Sequence, residues 1–343
     1  MYSFKNDYSE GAHPEVLKLL LETNMEQTEG YGLDPYLVRA IQIIKALVQR
    51  EDADIHLLPG GTQTNLIAIS AFLRPHEAVI SAATGHILVH ETGAIESTGH
   101  KVLSVDTVDG KFRPADIKSV VNAHTDEHMV RPRLVYISNS TEIGSVYSKT
   151  ELEALRACCE ENALLLYMDG ARLGSALCSE GNDLDLADIS RLVDAFYIGG
   201  TKNGALLGEA LVICNDSLKS DYRFFIKQRG AMLAKGRILG IQFLALFTDD
   251  LYFKLARHAN NMASLLRQGF REAGHAFLCE SPSNQIFPIL PNRLIQRLLE
   301  NFDFYIWKKV DSGHAAIRLV TSWATERETI LRFVSEINGF KDI

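Results

Sequence analysis

The sequence predicts an α/β protein: a mainly parallel sheet covered on both faces by helices, followed by a smaller α+β domain. Short β-rich runs alternate with helical patterns through the first 248 residues, the order expected where crossover helices join parallel strands. Several of those runs, Leu164–Asp169 and Ala195–Ile198 among them, are apolar almost without a break, as strands buried on both faces are. From Asp249 the alternation changes. A long helical pattern reaches about Ala273, and shorter strands and helices follow to the end.

The elements follow in order. A compact helical pattern runs from His13 to Asn24, and a loop with glycine and proline comes next. Between Tyr36 and Gln49, Leu37, Ile41, Ile44 and Val48 recur at helical spacing and define one apolar face. Strands are then expected at Asp54–Leu58, Ala78–Ser81, Val102–Val105 and Leu134–Ser138, with helices between them at Thr62–Leu73, Ile87–Ser97 and Pro114–Asn122. Ser148-Lys-Thr-Glu151 has the spacing of a capping box, in which hydroxyl and carboxylate satisfy each other's backbone amides; it opens a helix to about Glu161. Leu164–Asp169, Ala195–Ile198 and Ala210–Cys214 complete the strands. The chain thus divides into an N-terminal segment (1–30) expected to pack on the small domain, a large domain (31–248) and a small C-terminal domain (249–343).

Composition excludes several classes. With 343 residues, 46% of them hydrophobic, the chain can bury a large core and exceeds what one domain usually builds from. A net charge of −8 and the lack of a basic stripe predict no general attraction to nucleic acid or to an anionic membrane. The five cysteines, at 158, 159, 178, 214 and 279, form no C-x-x-C pair and read as free thiols in a reducing cytosol. The start, MYSFKNDYSEG, has no apolar signal region, and no apolar run approaches membrane-spanning length. A soluble cytoplasmic protein is expected.

Two residues at strand ends carry the strongest chemical signal. Asp169 closes the run LLLYMD, at the C-terminal end of a buried parallel strand, where such sheets hold their ligands. It either caps the next turn or stands as a fixed anion facing a pyridinium nitrogen, which keeps such a ring an electron sink. Lys202 follows AFYIGGT and is flanked by Gly199, Gly200, Thr201 and Gly204. Small neighbours leave room for a flat ring, and partial desolvation lowers an amine's pKa, as a Schiff-base lysine requires. Pro59-Gly60-Gly61-Thr62 lies between a strand and a helix, so its amides can meet a phosphate at the helix start; it is neither a Walker A loop nor G-x-G-x-x-G. Thr201 can add a hydroxyl to the same phosphate.

Other candidates have competing readings. His86 and His90 sit four apart and can share a zinc ion, but no third ligand is evident, and an imidazole stacked on a cofactor ring suits His86 equally. His124-Thr-Asp-Glu127-His128 matches the letters of a zinc-protease helix, yet its polar flanks and Pro132 read as a solvated loop. Arg318, in the apolar run AIRLVTSW, needs an anion: either an internal carboxylate or that of a substrate.

Taken together along nearly the whole chain, these pieces resemble the threonine aldolase and β-eliminating lyase family, within the aspartate-aminotransferase-like pyridoxal-phosphate fold. The markers are Tyr31-Gly-Leu-Asp-Pro35, Pro59-Gly-Gly-Thr62 with Asn65, Gly85-His86-Ile87, Glu91 before Gly93-Ala94, Asp169-Gly-Ala-Arg172, Thr201-Lys202 and Ile317-Arg-Leu-Val-Thr321. The resemblance implies a pyridoxal 5'-phosphate cofactor bound to Lys202, with Asp169 at its ring nitrogen, His86 stacked on the ring, and Gly60, Gly61, Thr62 and Thr201 at its phosphate. It further implies that Arg172 and Arg318 hold a substrate carboxylate near Asn6, where the family usually has serine. Arg237 matches an arginine after the family's glycine-rich run, and Tyr31 is expected to reach a neighbouring subunit's site in a homodimer or homotetramer.

The implied reaction is cleavage of a β-hydroxy-α-amino acid, such as L-threonine or L-allo-threonine, to glycine and an aldehyde. The catalytic set is Lys202, Asp169 and His86, with no metal; His86, or a water it orients, takes the hydroxyl proton. Two departures stand against a standard pocket. Ser138-Asn-Ser-Thr141-Glu142 lacks the second histidine usual after that strand, and the glycine-rich run reads Ala231-Met-Leu-Ala-Lys235-Gly236. β-Elimination or transamination with the same cofactor therefore remains an alternative, and a zinc hydrolase is the reading from a different class.

Overall fold

The structure is a computed structural model that describes residues 1–340. Its centre is a seven-stranded sheet in the order Asp54–Leu58, Glu209–Ile213, Ala195–Gly199, Leu165–Asp169, Arg131–Ser138, Glu77–Ala82, Lys101–Val105. Glu209–Ile213 runs antiparallel to both neighbours, and the other pairings are parallel. Both faces are apolar with period two. In Leu165–Asp169, Leu165 and Tyr167 join one buried cluster with Ile67 and Phe72, while Leu166 and Met168 join the opposite one with Ile44 and Phe196.

This strand order sets the site. Ser138 lies in register with Asp169, and Gly199 with Glu209, so the ends of three neighbouring strands and the start of a fourth share one edge. Lys202 follows shortly after Gly199 on the same edge.

The small domain packs strands Gln285–Ile286, Ile289–Pro291, Tyr305–Lys309 and His314–Val320 against the helices Leu251–Glu272 and Arg327–Asn338. The domain boundary falls in the turn Thr248–Asp250, where Asp249 and Asp250 are left-handed (φ 51° and 61°). Leu251–Glu272 links the two cores: Tyr252 and Leu255 belong to the large one, Met262, Leu266 and Phe270 to the small one.

Three expectations need correction. Segment 1–30 does not pack as a whole on the small domain. Tyr2–Ser3 pairs with Phe302–Asp303 and Phe4 enters the small core, but Ala12 and Val16 are in the large core. The helix expected over Ile87–Ser97 is instead His86–Val89 and a separate turn Glu96–Thr98, because Thr92 and Gly93 take positive φ (51° and 70°). The fold also contains helices that periodicity did not reveal. Arg237–Phe247 is apolar on all sides, so it has no amphipathic signal. It packs closely on Pro35–Val48, where a Cβ on Gly240 would lie 2.4 Å from the Leu37 nitrogen.

Candidate active site

A cavity of about 680 Å3 opens at the shared strand edge, between the large sheet and the small domain's Tyr305, Ile306, Trp307 and Arg318. Asp169 and Lys202 both line it. So do Gly60, Gly61, Thr62, His86, Arg172 and Thr201, so that four separate stretches of chain meet here.

Asp169 is buried and held from four sides. Oδ1 accepts from the Tyr197 hydroxyl (2.5 Å) and the Ala171 amide (3.0 Å); Oδ2 accepts from the Tyr136 hydroxyl (2.6 Å) and Asn65 Nδ2 (3.0 Å). Burial alone would raise its pKa, but the charge of His86 and these donors hold it below the usual carboxylate range. It is therefore a fixed anion. Burial pushes the two tyrosine hydroxyls well above 10, so they remain donors.

Lys202 accepts the complementary role. Its amine forms no hydrogen bond within the described residues, and burial together with the Arg172 charge lowers its pKa, against the pull of Asp7, Asp169 and Glu209. Thr201 beside it gives its hydroxyl hydrogen to Glu209 Oε1 (2.8 Å), and Gly200 N–H donates to Glu209 Oε2 (3.1 Å). Thr201 thus lines the cavity with its hydroxyl hydrogen given to Glu209. Burial raises the Glu209 carboxyl to about 8, with Thr201 and Lys202 opposing.

The turn Pro59–Thr62 opens the helix Gly61–Phe72. Thr64 N–H and hydroxyl both close on Gly60 O (2.9 Å each), which leaves the first-turn amides free to meet an anion. A Cβ on Gly60 would meet nothing within 4 Å, whereas one on Gly61 would lie 3.2 Å from the Tyr197 hydroxyl that holds Asp169. Only a small residue at 61 leaves that contact undisturbed.

His86 is oriented by a buried chain of groups. Its Nδ1 meets Glu91 Oε1 at 2.8 Å, Glu91 Oε1 also accepts from Asn65 (2.7 Å), and Asn65 continues to Asp169. A carboxylate partner draws the ring's proton to Nδ1 and fixes its orientation. The left-handed turn at Thr92 brings Glu91 inward.

Two guanidinium groups face the cavity. Arg172 is held in a bidentate pair by buried Asp7 (2.7 and 3.0 Å), which Asn284 also supports (2.9 Å). Arg318 has only a neutral acceptor, Gln285 Oε1 (2.6 and 3.2 Å), and lies 5.4 Å from the Trp307 ring centre. Burial and the Arg172 charge lower its pKa to about 10. A half-buried cation with no carboxylate of its own is a receptor for one.

Three expected site residues lie elsewhere. Asn6 does not line the cavity; its Oδ1 caps a local turn, accepting from Tyr8 N–H (3.0 Å) and the Ser9 hydroxyl (2.9 Å). The neighbouring Asp7 instead braces Arg172, and Tyr8 lines the cavity. Arg237 turns to the Glu26 and Thr23 carbonyls beyond the N-terminal helix. Tyr31 is half exposed at a separate cavity of about 130 Å3, with the Lys227 ammonium 4.7 Å from its ring. The sequence reading missed Asp7, Tyr136, Tyr197 and Glu209. Tyrosines two residues before the ends of the two strands that flank Leu165–Asp169, on one face by period two, were the signal for the middle pair.

His124 bonds the Val120 carbonyl (2.8 Å) just after a helix, and among the described residues no group of three His, Cys, Asp or Glu side chains is placed to hold a metal. No helix among them is long and apolar enough to cross a membrane.

The strand order and the paired strand-end residues define the class: the chain has the aspartate-aminotransferase-like fold. An aspartate aminotransferase of Thermus thermophilus matches 98% of the chain with a TM-score of 0.73 at 16% identity, a likeness of fold alone. More narrowly, the chain belongs to the β-eliminating lyase family, whose sequence model matches residues 8–290. A threonine aldolase of Leishmania major is similar over 99% of both chains, with a TM-score of 0.98 and 53% identity. A low specificity L-threonine aldolase of Pseudomonas aeruginosa is 31% identical over 97% of this chain and 96% of its own.

Proposed function

We propose that the protein binds pyridoxal 5'-phosphate and cleaves a β-hydroxy-α-amino acid of the L-threonine or L-allo-threonine type to glycine and an aldehyde. One observation carries this reading. A fixed carboxylate and an amine without a hydrogen-bond partner line the same cavity, beside a guanidinium that has no carboxylate partner.

The residues present fit the cofactor. Lys202 would hold its aldehyde carbon, Asp169 its ring nitrogen, His86 its face, and the amides of Gly60, Gly61 and Thr62 its phosphate. When bound, the cofactor supplies an electron sink for the pair released at Cα. The chain's own groups do the rest. Arg318, with the Asp7-braced Arg172 beside it, takes the substrate carboxylate and so fixes which bond at Cα stands ready to break. The amine of Lys202, kept partly unprotonated by its surroundings, can carry a proton to or from Cα.

Tyr31 and Arg237 lie away from this cavity, and we assign them to an interface with a second copy of the chain. The half-exposed ring of Tyr31 supports that assignment.

Incubating the purified holoenzyme with L-threonine, L-allo-threonine and phenylserine checks the reaction. Glycine and the matching aldehyde are expected in equal amounts from at least one of them. Release of pyruvate or ammonia without aldehyde would place the protein among β-eliminating enzymes instead.

A further inference from the structure

Breaking a Cα–Cβ bond beside a hydroxyl requires a group that takes the hydroxyl proton as the bond opens; the cavity offers the imidazoles of His86 and His90 and a few carboxylates. Asp169 has both oxygens engaged by four donors. Both oxygens of Glu209 are engaged by Thr201 and Gly200. Asp7 is paired with Arg172 and Asn284.

Glu142 differs. It lines the cavity, yet only one of its oxygens is held: Oε1 accepts from the Ser138 hydroxyl at 2.7 Å and from the His86 backbone N–H at 2.9 Å. Among the described residues, its Oε2 accepts from no other residue. One oxygen aims the group, and the other is left for chemistry. The two anchors are themselves part of the site, since Ser138 lies in register with Asp169 and His86 opens its helix at the cavity wall.

We propose that Glu142 is the catalytic base that takes the proton from the substrate's β-hydroxyl, an assignment that rests on the aldol reading above. Its free oxygen accepts the hydroxyl proton as the Cα–Cβ bond breaks. The hydroxyl oxygen's electrons close the C=O of the aldehyde, and the pair from the broken bond stays with Cα, which then takes a proton delivered from solvent through Lys202 to become glycine. The proton on Glu142 passes to solvent once the aldehyde has left.

The setting strengthens the base. Burial and the charge of Asp169 raise the proton affinity of Glu142, while the Ser138 hydroxyl and His86 moderate it. Arg172, Tyr136 and Tyr147 are the other titratable groups in its field. His86 is left to its contact with Glu91 and to the cofactor face.

The test compares two reactions of the cofactor-loaded enzyme and its Glu142→Gln variant. One is aldehyde release from L-allo-threonine or L-threonine. The other is exchange of a glycine α-proton with deuterated water, followed by NMR; it uses Lys202 and the cofactor but no β-hydroxyl. Glu142→Gln is expected to slow aldehyde release by about 100-fold or more, while glycine exchange changes by less than about threefold. Glu142→Asp, which keeps a carboxylate, should recover part of the lost rate. Aldehyde release at the wild-type rate in Glu142→Gln, or equal loss of both reactions, would overturn the assignment. Wild-type enzyme that exchanges glycine but releases no aldehyde would overturn the aldol reading and the assignment with it.

Discussion

Replacing Lys202 by alanine is expected to remove the visible absorption of the bound cofactor and to lower aldehyde release by on the order of 10^4-fold. Among the described residues, the amine is the only lysine lining the cavity, and it has no hydrogen-bond partner to satisfy. Desolvation and the Arg172 charge already depress its pKa, which favours the unprotonated amine that attacks a carbonyl. The same features predict no loss of stability. Removing a partly desolvated cation relieves a cost, so the thermal midpoint of the apo variant should be no lower than that of the apo wild type. A variant that kept the wild-type spectrum, or turned over within about tenfold of wild type, would contradict the assigned role.

Asp169→Asn is expected to lower turnover by on the order of 10^2- to 10^3-fold, because a neutral amide cannot keep a ring nitrogen protonated. Shape is preserved, but the hydrogen bonds are not. Oδ2 now accepts from both Asn65 and Tyr136, and an amide nitrogen there would face the Asn65 donor. The lost contact is expected to lower stability by about 1–3 kcal/mol. Rate and chemical-denaturation measurements on the holoenzyme check both parts. Unchanged turnover would mean that the buried anion serves the fold rather than the chemistry.

What the sequence made legible was local. Asp169 and Lys202 each end an apolar strand-like run, and parallel strands deliver their ends to one edge, so their meeting followed from topology. Pro59–Thr62 was legible for the same reason, as a strand-to-helix turn with glycines. What escaped was distant pairing. The bond between Arg172 and Asp7 joins positions 165 apart, and that between Asn284 and Asp7 joins positions 277 apart; neither leaves a trace in spacing. Asn6 was one residue from the group that braces Arg172, because its own side chain turns back to cap the local bend at Tyr8 and Ser9. Arg237 turns away from this chain's own cavity, and that direction was not legible for another reason. An all-apolar helix gives no phase, so the direction of its first residue could not be read from periodicity. Glu91 was seen only as part of a run, and the left-handed turn at Thr92 that brings it onto His86 has no strong sequence signature beyond Gly93.

The central claim is that Lys202 holds the cofactor covalently while Asp169 faces it from the next strand. Reducing the purified holoenzyme with borohydride freezes that bond, and peptide mapping by mass spectrometry then finds the residue that carries it. The added pyridoxyl group is expected on the peptide containing Lys202 alone. Its recovery on a different lysine, or on none, would contradict the account.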